Sequence, residues 1–180
     1  ETADVVLRVR IENAADALPL DDSASLVPGV TRKARVLVMG GENRILRVDI
    51  LHDVGKSLNP SIDLGQIEGG YVQGAGWLTM EELVWHPKTG LLTTHAPSTY
   101  KIPTANDCPP VFNVKLFEND NVEDSIHRSK AVGEPPLLLP FSVFYAIRDA
   151  VSSVGGHRVD PPLAAPATSE SILRALTAVQ

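Results

Sequence analysis

The chain has a single cysteine, Cys108, among 180 residues, so no disulfide can form within it. That suits a reducing compartment, and the expectation is a cytoplasmic protein. No CxxC pair occurs, which leaves no ligand set for an iron–sulfur cluster. The histidines (His52, His86, His95, His127, His157) are scattered and make neither HExxH nor HxH spacing, which argues against zinc held by side chains. Phosphate loops of the GxGxxG kind and GxSxG elbows are also missing. Lys and Arg total 16 against 22 Asp and Glu, and the net charge of −6 comes without a basic stripe, so a nucleic-acid surface is not expected. The apolar runs are too short to span a bilayer. The first residues lack the basic start and apolar stretch of a signal peptide. What is present is an ordinary globular composition, 43% hydrophobic and 21% charged, at a length that suits one domain with a real core.

Two β-prone runs, 34–39 and 45–51, flank Gly40-Gly41-Glu42-Asn43, the pattern of a hairpin. In the second run Leu46, Val48 and Ile50 share one face, while Arg47 and Asp49 share the other, wetter one. Residues 4–11 alternate as a strand does. Residues 18–31 are rich in Pro, Asp, Ser and Gly and read as loop. The division expected is therefore an unassigned strand and linker over 1–40 and one unit over 41–180.

Asn59 as N-cap, Pro60 at the first helical position and Asp63 in the first turn predict a long helix to about Leu83. Its interior holds Gly65, Gly69, Gly70, Gly74 and Gly76. Each costs roughly 0.8–1 kcal/mol against alanine, so something must offset them. Gly65, Gly69 and Gly76 are expected to form a face without side chains, open to a ligand or another backbone. Beside it run Gln66, Gly70, Gln73 and Trp77, with both glutamines expected to point inward. Tight helix packing alone explains the glycines equally well, and the glutamines less well.

Further on, Pro87–Gly90 reads as a turn between short β-prone segments and residues 111–117 as a strand. A second helix is expected with Ser142 as cap, a stripe of Val143, Ala146, Ile147 and Ala150, and a stop at Gly155-Gly156. A last short helix has Thr168 as N-cap and Ile172, Leu173, Leu176 and Val179 as its apolar face. The fold class is α+β: short antiparallel strands and hairpins, a long Gly-rich helix, a second helix after a loop at Glu134, and a short C-terminal helix.

That loop is the run from Ser129 to Pro140. Glu134 stands between Gly133, where another group can come close, and Pro135-Pro136, which offer no N–H. Pro135 is expected to push Glu134 towards extended backbone. A carboxylate in such apolar, poorly solvated surroundings is a candidate general base near neutral pH, against the plainer reading of a solvated loop acid. Lys130 is the nearby cation, either a surface charge or a partner for an anionic ligand. Glu81-Glu82 reads as a solvated face and Cys108 as an incidental small residue.

Three long segments carry a resemblance. They are LRVDILHDVGKSLNPSIDLGQIEGGYVQGAGWLTMEEL at 46–83, PSTYKIPT at 97–104 and SKAVGEPPLLLPFSVFYAIRDAV from Ser129. In this order and spacing they resemble motifs of the molybdenum hydroxylases, in the form that xanthine dehydrogenases carry. The likeness covers roughly residues 41 to 178, and residues 1–40 match nothing in it. Aldehyde oxidases and carbon monoxide dehydrogenases tend to have Gly-Glu-Ser where this chain has Gly133-Glu134-Pro135.

The resemblance implies the C-terminal part of a molybdopterin-binding module in a longer enzyme that converts hypoxanthine and xanthine to urate. Glu134 would then take the proton of a molybdenum-bound hydroxide. Gln66 would sit beside the metal, and Gly133 and Lys130 would line the pterin side. The metal would be held by the pterin dithiolene and not by side chains. FAD and 2Fe-2S clusters would belong to other modules. Those modules, a purine and, through the flavin, NAD are the implied partners; no nucleic acid or membrane is implied, and a homo-oligomer is allowed. The alternatives are a non-catalytic fragment or structural subunit, or an aldehyde oxidase-type hydroxylase.

Overall fold

The hairpin expected near residues 34–51 forms, with one residue more than a regular ladder needs. The structure is a computed structural model that describes residues 5–11, 20–26, 32–39 and 42–179, with side chains from residue 43 onward. The loop glycines Gly40 and Gly41 lie outside the described residues. Strand β3 (Arg32–Met39) pairs antiparallel with β4 (Glu42–His52). The register steps from Arg35 opposite Arg47 to Val36 opposite Ile45, leaving Leu46 as the extra residue of a bulge. The bulge flips the alternation, so Ile45 joins Val48 and Ile50 in the core and Leu46 does not. Arg47 and Asp49 do share the wetter face, where they form an ion pair at 2.6 Å.

Residues 18–31 are not all loop. Leu20–Leu26 is a strand, β2, paired antiparallel with β1 (Val5–Ile11). The sheet order is β2-β1-β3-β4-β5, with β5 spanning Val111–Leu116. The β1–β3 and β4–β5 pairings are parallel, so the sheet is mixed and the expected antiparallel character holds only for β1–β2 and β3–β4. A parallel neighbour requires a crossover, and the long helix lies in the one that joins β4 to β5.

That helix, α1 (Pro60–Thr79), starts as expected, with Ile62 N–H donating to the Asn59 side chain at 3.3 Å. It stops earlier than Leu83, because the Met80 and Glu81 N–H groups both fold back on the Gly76 carbonyl. Ile67, Tyr71 and Ala75 bury one face of α1, and the Tyr71 ring meets Phe112 of β5 at 5.3 Å. Helix α2 (Phe141–Val154) buries the expected stripe of Val143, Ala146, Ile147 and Ala150. Ser142 is not its cap: it is buried in the first turn and donates to the Leu139 carbonyl at 2.8 Å. Helix α3 (Ser169–Val179) has the expected Thr168 cap, whose Oγ1 accepts from Ser171 N–H. Its buried face uses Ala175, while Leu173 is exposed.

Residues Pro135–Val154 have the length and mean hydropathy, 1.4, of a membrane span. They are broken into a 3₁₀ turn (Pro135–Leu138) and α2, and the stripe of α2 packs in the core as that of a globular domain does.

Candidate functional site

Two of the resembling segments meet through their main chains. Lys56 N–H donates to the Arg128 carbonyl at 2.9 Å, and Lys130 N–H donates to the Val54 carbonyl at 2.8 Å. Gly55, at φ +60°, lies so close that a Cβ would stand 2.4 Å from the Arg128 oxygen. His127 and Arg128 also have left-handed backbone, at φ 53° and 59°. That conformation costs about 1–2 kcal/mol per residue, and the two donors on the Arg128 carbonyl, Lys56 and Asn121, help to hold it. Gly55→Ala adds both a backbone collision and left-handed strain. It is expected to lower stability by about 2 kcal/mol or more, read as a shifted denaturation midpoint.

The loop then seats on α1. A Cβ on Gly70 would lie 2.8 Å from Pro136 Cβ, and one on Gly74 would lie 2.2 Å from the Leu137 carbonyl oxygen. These glycines admit the turn that follows Glu134. The face expected from Gly65, Gly69 and Gly76 is divided between an approached end and an open one. Gly76 is approached, by the Pro103 ring, but no described atom lies within 4 Å of a Cβ on Gly65 or Gly69. Gln66 and Gln73 are exposed, not turned inward. Gln66, Gly70 and Gly74 form one row at four-residue spacing. Gly74 faces Leu137 and Pro140, and Gly70 faces Pro136. Gln66 is the next position of that row toward the start of α1.

Glu134 itself differs from expectation. Its backbone is helical, at φ −103° and ψ −39°, and not extended. The local preference imposed by Pro135 loses to the 3₁₀ turn, in which the Glu134 carbonyl accepts from Leu137 N–H at 3.0 Å. The side chain is exposed on this chain's surface, so its own neighbours do not supply the apolar surroundings expected. Gly133 is exposed as well, with no described atom within 4 Å of a Cβ placed there. Lys130 does not stand free for an anion: its Nζ donates to Asp53 Oδ2 at 2.5 Å. That hydrogen bond is the largest cause holding the Asp53 carboxyl below its ordinary range, with Gly55 N–H and the lysine charge adding to it against desolvation.

The third segment is tied to the end of α1. The Tyr100 hydroxyl donates to Glu81 Oε2 at 2.5 Å, which pushes the Tyr100 phenol up and gives Glu81 a partner that sequence alone did not assign. An open cleft of about 570 Å³ lies beside it, between Leu83, Pro97, Tyr100 and Ile102. Tyr71 is buried, its hydroxyl has no partner among the described residues, and burial pushes its phenol up. Among the described residues no group of three or more His, Cys, Asp or Glu is placed to hold a metal ion. Sequence reasoning missed Asp53. The signal was there: an Asp two residues before a Gly is an Asx-turn pattern, and Asp53 Oδ1 does accept Gly55 N–H at 2.7 Å.

Residues 33–109 match the model of the molybdopterin cofactor-binding domain. The xanthine dehydrogenase of Dictyostelium discoideum is 53% identical over 113 residues, 63% of this chain and 8% of that protein. The xanthine dehydrogenase/oxidase of Rattus norvegicus is 48% identical over 140 residues, 75% of this chain and 10% of that protein. The chain belongs to the molybdenum hydroxylase family. Quinoline 2-oxidoreductase of Pseudomonas putida 86 shares the fold with a TM-score of 0.64 at 28% identity, over 76% of this chain and 16% of that one. This molybdenum hydroxylase segment thus spans 8 to 10% of the length of those two curated relatives.

The residues fit the cofactor of such a module. Gly65 and Gly69 leave a strip of α1 free of side chains, and the exposed Gln66 and Gln73 amides lie along one side of it with donors and acceptors. A flat, polar heterocycle needs that combination of close approach and paired hydrogen-bonding groups.

Proposed function

We propose that this chain forms the C-terminal part of the molybdenum module of a xanthine dehydrogenase, with Glu134 as general base in the hydroxylation of hypoxanthine and xanthine. When bound, molybdopterin supplies a molybdenum centre that takes up the electrons of the oxidised purine. The observation that carries the reading is the seating of the Glu134 turn on Gly70 and Gly74, in the same helical row as Gln66. One rigid element thereby sets the place of an acid and of an amide.

Glu134 contributes a carboxylate oxygen that accepts a proton, and Pro135 and Pro136 stiffen the chain beneath it. Gln66 contributes an amide that can donate and accept at the cofactor's edge. Gly133 leaves room for the cofactor to approach, as Gly65 and Gly69 do on α1. The Gly133-Glu134-Pro135-Pro136 sequence and the identity to proteins named xanthine dehydrogenase support purine over aldehyde as substrate. Flavin, iron–sulfur clusters and the NAD acceptor then belong to partner modules.

The test is reconstitution. The chain alone is expected to give no xanthine-dependent NAD reduction. Expressed with the remaining modules it should complete a site that retains molybdenum and pterin and is reduced by xanthine. Steady turnover by the chain alone would overturn the reading. So would a fully loaded complete enzyme that oxidises aldehydes and leaves xanthine untouched.

A further inference from the structure

Lys130 and Asp53 are 77 positions apart in sequence, and their side chains meet at 2.5 Å. Each is 35% exposed, so the pair sits half out of water at the seam between two segments. Asp53 is aimed from its own side, because its Oδ1 is held by Gly55 N–H. The backbone bonds Lys130 to Val54 and Lys56 to Arg128 bracket the same spot. Downstream, residues 131–134 form neither helix nor strand. Their course is set by the seam at Lys130, by Val132 packed half-buried on the core, and by the packing of Pro136 on Gly70. Glu134 hangs between these anchors.

We infer that the Asp53–Lys130 pair is a positioning clamp for Glu134. It fixes the upstream end of the loop and so the place of the carboxylate, and it does not hold the cofactor. This rests on Glu134 being the base. Lys130 and Asp53 act through the loop and touch no reacting atom.

The test uses the complete molybdenum enzyme that carries this chain, with Lys130→Met, Lys130→Arg, Asp53→Asn and the double variant Asp53→Asn/Lys130→Met. Asparagine keeps an oxygen for Gly55 N–H and removes the charge. Three readouts are taken: molybdenum and pterin content, amide hydrogen exchange over residues 128–138, and single-turnover reduction by xanthine. Content should stay parental in every variant. Exchange over the loop should quicken by up to about fivefold in Lys130→Met and Asp53→Asn, the scale of a half-exposed ion pair. Reduction should slow by a like factor, up to about fivefold, because the positioned loop becomes rarer only by what the pair contributes. The double variant should be no worse than either single one, and Lys130→Arg should recover most of both effects.

Loss of molybdenum in Lys130→Met but not in Asp53→Asn would overturn the clamp and make Lys130 a cofactor ligand. Effects that multiply in the double variant, or loop exchange unchanged from the parent, would also overturn it. Glu134→Gln, run alongside, separates the two claims. A parental rate there removes the base reading, and the exchange data then decide the clamp by themselves.

Discussion

Glu134→Gln in the complete enzyme is expected to slow reduction by xanthine at least about 10²-fold, the lower end of what a general base contributes. Molybdenum and pterin content should remain near parental. The substitution keeps the volume of the side chain and removes only its capacity to take a proton. The turn beneath is held by the Leu137 N–H bond to the Glu134 carbonyl and by Pro136 against Gly70, and neither involves the carboxylate. A loss of rate therefore cannot be attributed to a collapsed loop. The measurement is single-turnover reduction followed across pH, with metal content checked in the same preparation. A loaded variant that reduces at the parental rate would return Glu134 to a loop residue.

Gly74→Leu should be the most destabilising of the glycine substitutions on α1. Any Cβ there meets the Leu137 carbonyl at 2.2 Å and Pro140 Cγ at 3.0 Å. The first is main chain and the second a stiff ring, so neither can swing aside. The loop must lift off the helix, at a cost of about 3 kcal/mol or more, the upper range for overpacking. Gly69→Ala is the contrast. Nothing described lies within 4 Å of its Cβ position, and alanine gains up to about 1 kcal/mol of helix propensity. That variant should fold at least as well as the parent and yet load less molybdopterin, because the methyl occupies the strip offered to the cofactor. Denaturant midpoints and molybdenum content measured on the same samples check both. Normal loading by Gly69→Ala would mean the cofactor approaches elsewhere.

Signals that are local in sequence were legible. Asn59 with Pro60 placed the start of α1, Thr168 that of α3, and the three- and four-residue spacing from Val143 to Ala150 gave the buried face of α2. What was not legible depends on partners. The bulge at Leu46 exists only relative to the register of β3, so alternation alone put Leu46 on the face of Val48 and Ile50, where Ile45 stands. Strand β2, at the end of the strand order, is written in Asp and Ser, which are uncommon in strands, and so it read as loop. The glycines of α1 announced close approach but not by what. Two of them receive the Glu134 turn, one receives Pro103, and Gly65 and Gly69 are left open. The backbone setting of Glu134 was mistaken, because the preference before a proline is weaker than a turn pinned by tertiary packing.

The loop leans on other parts of the molecule through carbonyls and amides more than through side chains. Val54 and Arg128 supply the oxygens at one end, and the bare backbone of α1 at Gly70 and Gly74 supplies the seat at the other. A peptide of residues 129–140 would carry the acid and its prolines without any of these supports. Transplanting that run into another scaffold would move the chemical group and leave its geometry behind. A working transplant would have to carry the 53–56 corner and a helix with two glycines one turn apart.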